Sequence, residues 1–211
     1  MQRKKLISRT LTTAVMLALY IGAHPSITSA QEYTDQLTGA GDAYAAHGIR
    51  TTVDMESTYT FAEGDVVKWT NAYPAVEVWA EGTHLKFTTP LNLQLDVKDG
   101  ATSGIHAATS NYDTPGRLTA QDVNITGQST GSNYDINRIY ISGIDTYAAD
   151  IKIKNLNIDI TADGKPESIA DGIFMGRDFE DEDSEHILTV NGAANIRAVS
   201  KHGYYAWAAG I

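Results

Sequence analysis

Short apolar segments recur along the chain in a fixed order, separated by polar residues. One kind is an apolar–Asn–apolar triplet, as in Leu91–Leu93 and Val123–Ile125. A second kind alternates, as in Arg117–Ala120, and a third begins with a small or polar residue, as in Gly104–Ala107. Alternation is typical of β-strands, and no segment keeps the i, i+3, i+4 spacing of a helix for long enough to connect strands. The pattern therefore predicts an all-β protein.

The three kinds of segment keep step with a period of about 32–34 residues, which is typical of stacked structural repeats. A single repeat cannot bury its apolar face, whereas stacked repeats bury columns of side chains. The sequence predicts a right-handed parallel β-helix, that is, a β-solenoid with three short strands per coil. We expect one interior column of Leu118, Ile151 and Leu188, a second of Ile125, Ile158 and Ile196, and a register that aligns Ile105 with Ile139, Ile173 and Tyr204.

One asparagine lies at the centre of each triplet, at Asn92, Asn124, Asn157 and Asn195. Alternation points these side chains outward, where stacked amides bond to their neighbours on the coils above and below. Because the same residue type repeats on every coil, we favour a structural ladder, and a ligand-binding stripe is the alternative.

Turns are expected at pairs in which positive φ costs little, namely Asp99-Gly100, Asp163-Gly164, Asp171-Gly172 and Asn191-Gly192. Farther upstream, four segments predict the strands of one less regular coil: Gly48-Ile49 and residues 58–61, 66–69 and 76–79. A terminal coil is expected to be atypical because it caps an open edge.

The first thirty residues have the pattern of a secretory signal peptide. Basic residues at Arg3, Lys4, Lys5 and Arg9 precede an apolar run over 11–23, and small side chains follow at 28–30. Cleavage is predicted between Ala30 and Gln31. A transmembrane anchor is the alternative, but about thirteen largely apolar residues are too few, since a spanning helix needs about 20. The predicted organisation is a signal peptide over 1–30, a lead-in and irregular cap coil over 31–74, and regular coils over 75–211 that are truncated at the C-terminus.

Charge and cysteine content exclude several function classes. Lysine plus arginine total 16 against 26 aspartate plus glutamate, a net charge of −10. Nucleic acid is therefore not an expected partner, because proteins that bind it carry basic patches. The chain has no cysteine, which excludes disulfides, thiolate zinc sites and cysteine nucleophiles.

No catalytic residue, cofactor-binding residue or metal ligand is predicted, since the HExxH, P-loop and dinucleotide motifs are absent. Carboxyl groups near strand ends, at Asp122, Asp145, Asp150 and Asp159, leave a glycan-cleaving pair on adjacent coils as an alternative. The acidic segment 178–186 has the carboxylate density of a Ca²⁺ site. Its spacing matches neither the EF-hand loop nor the glycine-rich nonapeptide calcium repeat, so we favour a solvated loop.

The basic signal peptide, the acidic cysteine-free remainder and the recurring Gly-Ile…Leu-x-Ala…Val-Asn-Ile pattern resemble the passenger region of type V autotransporters of Gram-negative bacteria. The resemblance covers residues 1–30 and about 75–211. It implies an exported passenger at the cell surface and outer membrane, or secreted, that is carried out by a C-terminal translocator barrel. It also implies a non-enzymatic adhesin that binds host or neighbouring-cell surface molecules, protein or glycan.

The chain stops at residues 209–211, one strand into a coil, so the sequence is expected to be an N-terminal fragment of a longer chain. Truncation also explains why the barrel strands are not present. The alternative function is a glycan-active enzyme, a polysaccharide lyase or hydrolase on a β-helix. Candidate binding regions are the segment 178–186 and the cluster Tyr204, Tyr205 and Trp207, although we favour buried core columns for these aromatic residues.

Overall fold

The structure is a computed structural model. It describes residues 32–34, 49–50, 56–78, 82–108, 115–132, 138–147, 149–176, 187–203 and 205–210. The chain divides after Ala30 into two units, and the description below concerns residues 31–211. Four predicted features lie outside the described residues: the signal peptide, its cleavage site at Ala30 and Gln31, most of the lead-in, and the acidic segment 178–186.

The described residues form fifteen β-strands and no helix. The strands are β1 (Glu32–Thr34), β2 (Ile49–Arg50), β3 (Glu56–Tyr59), β4 (Val66–Trp69), β5 (Val76–Val78), β6 (His84–Phe87), β7 (Leu91–Lys98), β8 (Ala101–Ala108), β9 (Gly116–Gly131), β10 (Ile139–Tyr147), β11 (Ala149–Gly164), β12 (Glu167–Met175), β13 (Leu188–Val190), β14 (Ala194–Lys201) and β15 (Tyr205–Ala209). The all-β prediction is therefore confirmed. Within this part of the chain, no helix long and apolar enough to cross a membrane is found.

The strands form two sheets, and the pairings within both are parallel. The large sheet has nine strands in the order β1-β4-β7-β9-β11-β13, with β14 beside β11 and the pair β3-β6 joined to β9. The small sheet has six strands in the order β15-β12-β10-β8-β5-β2. Strands that are neighbours in the small sheet are separated in sequence by strands of the large sheet, so the chain passes repeatedly from one sheet to the other.

Both predicted interior columns lie in the large sheet, and both are confirmed. Leu118 pairs with Ile151, which pairs with Leu188. In the same way, Ile158 lies between Ile125 and Ile196. The first two members of each column are buried, and Leu188 and Ile196 pack against the core half-buried. Buried aliphatic side chains contribute about 1.5–3 kcal/mol each, so these columns are a major source of stability.

The register predicted for the small sheet is wrong. Ile105 and Ile173 pair with Ile144, whereas Ile139 pairs with Ser168. The residue that bonds to Ile173 is Gly210, directly after β15, whose carbonyl oxygen accepts the Ile173 N–H at 3.1 Å. Tyr204, which was aligned with Ile173, lies outside the described residues. The alignment had followed apolar runs, but a column of glycines determines the register.

This glycine column consists of Gly104, Gly143, Gly172 and Gly210, and its first three members face the isoleucine column of the large sheet. A Cβ on Gly104 would lie 2.8 Å from Cγ2 of Ile125 and 2.8 Å from the carbonyl oxygen of Gly143. Such distances are far inside van der Waals contact. The two sheets approach closely at these positions only because a side chain is missing there.

Strand lengths and turns differ from the expectation of three short strands per coil. β9 and β11 each run for 16 residues through two of the predicted strands. The predicted turns at Asp163-Gly164 and Asp171-Gly172 are wrong, because these pairs lie inside β11 and β12. Asp99 does adopt positive φ, at 51°, and Asn191-Gly192 does lie between two strands. Each of the four upstream segments contributes to a strand, in β2, β3, β4 and β5. The expectation that they form one coil is wrong, because β2 and β5 pair side by side in the small sheet.

Candidate functional site

A groove of about 730 Å³ lies on the outer face of the small sheet. Aromatic and acidic side chains of three neighbouring strands line it: Tyr140, Asp145, Tyr147, Asp171, Phe174 and Trp207. We call it the aromatic–acidic groove. Arg138 and Met175 also line it.

Alternation along β10 places three of these side chains on the same face. Ile139, Ile141 and Ile144 are fully buried, whereas Tyr140, Asp145 and Tyr147 are only half-buried. The apolar residues anchor the strand to the core, and the intervening positions point to the opposite face of the sheet.

The parallel register extends the face across β12 and β15. Ile169 lies between Tyr140 and Trp207, so these three residues form one outward column. Asp145 is beside Phe174, and Ser142 is beside Asp171. The preference for burying Trp207 in the core is therefore wrong, because its register partners lie on the outer face.

The groove exposes an unusual amount of large apolar surface. Phe174 is 38% exposed, Met175 45% and Trp207 67%. The rings of Tyr147 and Phe174 are tilted by 56° with centroids 5.7 Å apart, a geometry favourable for an aromatic pair. Contiguous exposed apolar surface that is rimmed by polar groups marks interaction sites in soluble proteins.

The two carboxyl groups of the groove differ in their surroundings. Asp171 is only 8% exposed, and this burial raises the pKa of its carboxyl. A hydrogen bond from Tyr140 and the charge of Arg138 lower that pKa, and the charge of Asp145 raises it further. Burial therefore disfavours the charged form of Asp171, whereas Arg138 and Tyr140 favour it.

Asp145 has one oxygen bound and one enclosed. Its Oδ2 lies 3.3 Å from Nδ1 of His106, and its buried Oδ1 has no hydrogen-bond partner among the described residues. The His106 ring in turn lies 6.1 Å from the ring of Tyr147. The carboxylate therefore has unused acceptor capacity.

The tyrosines of the groove are kept in their neutral, proton-donating form. Burial raises the pKa of Tyr140 well above its usual range, and the charge of Asp145 raises it further. Burial and Asp145 also raise the pKa of Tyr147. The guanidinium of Arg138 lies over the Tyr140 ring, 5.3 Å from its centroid, in a cation–π contact.

The substitution Asp171→Asn is expected to raise the melting temperature at pH 7. Because burial raises the pKa of Asp171, the stability that the protonated carboxyl provides is complete below the ordinary pKa and is lost as pH rises through the raised pKa. Asparagine keeps the shape and the acceptor for Tyr140 without a charge, so its advantage should vanish below about pH 4. Melting curves from pH 3 to 8 measure this effect.

The exposed control Asp96→Asn should show no such pH-dependent gain. An equal gain in both variants would contradict a burial-raised pKa of Asp171 as the cause.

The four asparagines of the predicted ladder lie in register on the large sheet. Asn92 pairs with Asn124, Asn124 with Asn157, and Asn157 with Asn195. Nδ2 of Asn124 donates to Oδ1 of Asn92 at 2.8 Å, and Nδ2 of Asn92 donates to the carbonyl oxygen of Asp65 at 2.8 Å. In both hydrogen bonds the asparagine side chain is bound to another group of the protein, as a structural ladder requires.

The other carboxyl groups considered from the sequence are not brought together in one site. Asp122 accepts a 2.6 Å hydrogen bond from Asn155, and Asp159 accepts one of 2.6 Å from Arg197. Asp150 lies in register with Arg117. Of the four, Asp145 alone lines the aromatic–acidic groove.

Sequence reasoning missed most of the groove. It assigned Asp171 to a turn, and it gave no role to Tyr140, Tyr147 or Phe174. Alignment on the Gly-Ile pairs at 104, 143 and 172 would have placed Asp145 beside Phe174. The Gly-Ile pairs were therefore the sequence signal for this register, and apolar alternation alone does not reveal it.

Within the described ranges, no group of three or more His, Cys, Asp or Glu side chains is arranged to hold a metal ion. No family model, no curated protein and no solved structure matches the chain. The class that the fold defines is thus an all-β protein with two parallel sheets, and its function is inferred from the groove.

Proposed function

We propose that the protein is an exported, non-enzymatic surface-binding protein of the adhesin class, built as a right-handed parallel β-solenoid. Its partners are molecules on the surface of host or neighbouring cells. Its binding site is the aromatic–acidic groove.

The solenoid is supported by the way the chain returns to each sheet. Hydrogen-bonded side chains on neighbouring strands are separated by 32 residues for Asn124 and Asn92, 33 for Asn155 and Asp122, and 39 for Ser142 and Ser103. Each return adds one parallel strand to each sheet and extends the same columns. Stacking of this kind is how a repeat buries an apolar face that it cannot bury alone.

Surface binding is carried by one observation, the exposed apolar side chains of the groove. Trp207 is 67% exposed, and covering this apolar surface with a partner is favourable. Phe174 and Met175 line the same groove. Exposed aromatic residues in a concave site are the side chains that most often dominate binding energy.

Export is supported by the sequence of residues 1–30, and the passenger character by the resemblance to autotransporters. In this proposal the chain is exposed at the cell surface and outer membrane, or released, and the full-length protein carries a C-terminal translocator barrel. No cofactor and no nucleic acid takes part.

Trp207→Ala is expected to weaken surface binding about tenfold or more, because it removes the most exposed ring of the groove. The full coding sequence is expressed in a Gram-negative host, and the mass of the exported protein should correspond to a chain that begins at Gln31. Binding of this protein, fluorescently labelled, to bacterial and animal cells is then measured by flow cytometry.

Tyr73→Ala is the matched control. Tyr73 is 51% exposed outside the groove, and its carbonyl oxygen, which accepts hydrogen bonds from Trp69 and Thr102, is retained in the variant. Equal binding by wild type and both variants would overturn the assignment of the groove.

A second candidate function is glycan cleavage, which the two carboxyl groups of the groove favour. Glycosidases use a pair of carboxyl groups, one of them held protonated as the acid. Asp171, whose carboxyl has a raised pKa, and Asp145 fit these roles. New reducing ends or unsaturated products from a glycan, abolished by Asp145→Asn, would favour the enzyme over the adhesin.

A further inference from the structure

We infer that the aromatic–acidic groove binds an uncharged oligosaccharide, an inference that rests on the proposed surface-binding function. Its ligand is a linear neutral glycan whose sugar rings lie on the aromatic side chains and whose hydroxyls donate to the two carboxyl groups. Neither the fold nor the resemblance to autotransporters specifies this ligand class.

The aromatic side chains present faces for sugar rings. Trp207 is mostly exposed, and Tyr147 and Phe174 are tilted by 56° and therefore do not cover each other face to face. The C–H groups on one side of a pyranose form an apolar surface that packs on such a ring. An aromatic face has a negative quadrupole, which attracts those weakly positive C–H groups.

Beside the rings, the groove offers acceptors for hydroxyl groups. The Asp145 side chain is 14% exposed; its Oδ2 has a hydrogen bond from His106, and its buried Oδ1 has none among the described residues. Asp171 accepts from Tyr140 and has further lone pairs. Sugar hydroxyls are donors, and hydrogen bonds to a charged acceptor are about twice as strong as those between neutral groups.

Charge separates neutral glycans from the other ligands that an acidic groove attracts. The net charge of −10 opposes uronic or sialic acids, and Asp145 adds a carboxylate to the groove. A lysine-rich peptide is disfavoured for two reasons. Burial disfavours the charged form of Asp171, and Arg138 brings a positive charge into the groove. An uncharged ligand avoids both penalties.

The repeat of the sheet also fits a linear chain of sugars. Neighbouring strands are about 4.8 Å apart, close to the length of one pyranose ring. A glycan that runs across β10, β12 and β15 therefore meets one strand per sugar. Tyr140, Ile169 and Trp207 form a column along that direction.

The test measures binding of the exported protein to soluble oligosaccharides by calorimetry. The probes are neutral tetrasaccharides of glucose, galactose, mannose and N-acetylglucosamine, with galacturonate tetramer and octalysine as charged comparisons. At least one neutral tetramer should bind saturably, and galacturonate and octalysine should not. Trp207→Ala and Asp145→Asn should each weaken that binding about tenfold, whereas Tyr73→Ala should leave it unchanged.

Two further results separate this inference from the proposed function. If the neutral tetramer that binds also blocks the Trp207-dependent binding to cells, both are supported. If no neutral tetramer binds, or if octalysine binds instead, the ligand class is overturned while Trp207-dependent cell binding still stands. If the wild-type protein binds none of the cells, the surface-binding function itself is overturned. Thermal melts of each variant establish that a loss of binding is not a loss of fold.

Discussion

Ile158→Asp is expected to destabilise the protein by about 4–5 kcal/mol or more, enough to unfold much of the sheet stack. Ile158 is 1% exposed and lies between Ile125 and Ile196 in an interior column. A carboxyl group at this position loses its hydration, and the surrounding isoleucines offer it no hydrogen bond. Chemical denaturation followed by far-UV circular dichroism measures the free energy of unfolding.

Lys154→Asp is the matched control, because it introduces the same side chain on the same strand at an exposed position. Its effect should stay within about 0.5 kcal/mol. The loss in Ile158→Asp should also be smaller at pH 4 than at pH 7, since a buried carboxyl holds its proton. Similar stability of the two variants would contradict the inward position of Ile158.

The large sheet was predictable because its strands obey one simple rule. Leu118 and Ile151, or Ile125 and Ile158, differ little in size and recur at nearly constant intervals. A shift of one residue would turn each apolar column toward water, so the apolar pattern alone determines this register.

The small sheet was not predictable from the same pattern. Its strands contain consecutive buried residues, as at Ser142, Gly143 and Ile144, so apolar alternation does not define one register. What defines it is a steric constraint between the two sheets, and a missing side chain leaves no apolar signal in the sequence. Pairing therefore aligns Ile105 with Ile144 and not with Ile139.

The candidate site depended on that register and was missed with it. Asp171 was interpreted as a turn residue because Asp-Gly pairs favour turns. In β12 the glycine instead allows contact with Ile196, and the aspartate before it faces the groove. Gly172 thus packs against the large sheet, and Asp171 lines the groove on the other face of the small sheet.

Gly143→Ala is expected to destabilise the protein by roughly 3 kcal/mol, although it adds a single methyl group. The new Cβ would lie 2.5 Å from the carbonyl oxygen of Gly172 and 2.7 Å from Cδ1 of Ile158. The backbone oxygen cannot rotate away, so the small sheet has to move from the large one. For a chain of this size the melting temperature should fall by about 6–12 °C.

Gly210→Ala tests whether the cost comes from the contact between sheets or from replacing a glycine at all. Gly210 belongs to the same column, but in the chain that ends at Ile211, which is used for both variants, a Cβ there would meet no atom within 4 Å. Its substitution should change the melting temperature by no more than about 2 °C, and the lower entropy of the unfolded alanine chain acts in the stabilising direction. Equal losses at both positions would show that glycine matters for backbone conformation in this column. A loss confined to Gly143 would instead support close packing of the sheets as the constraint that aligns the groove residues.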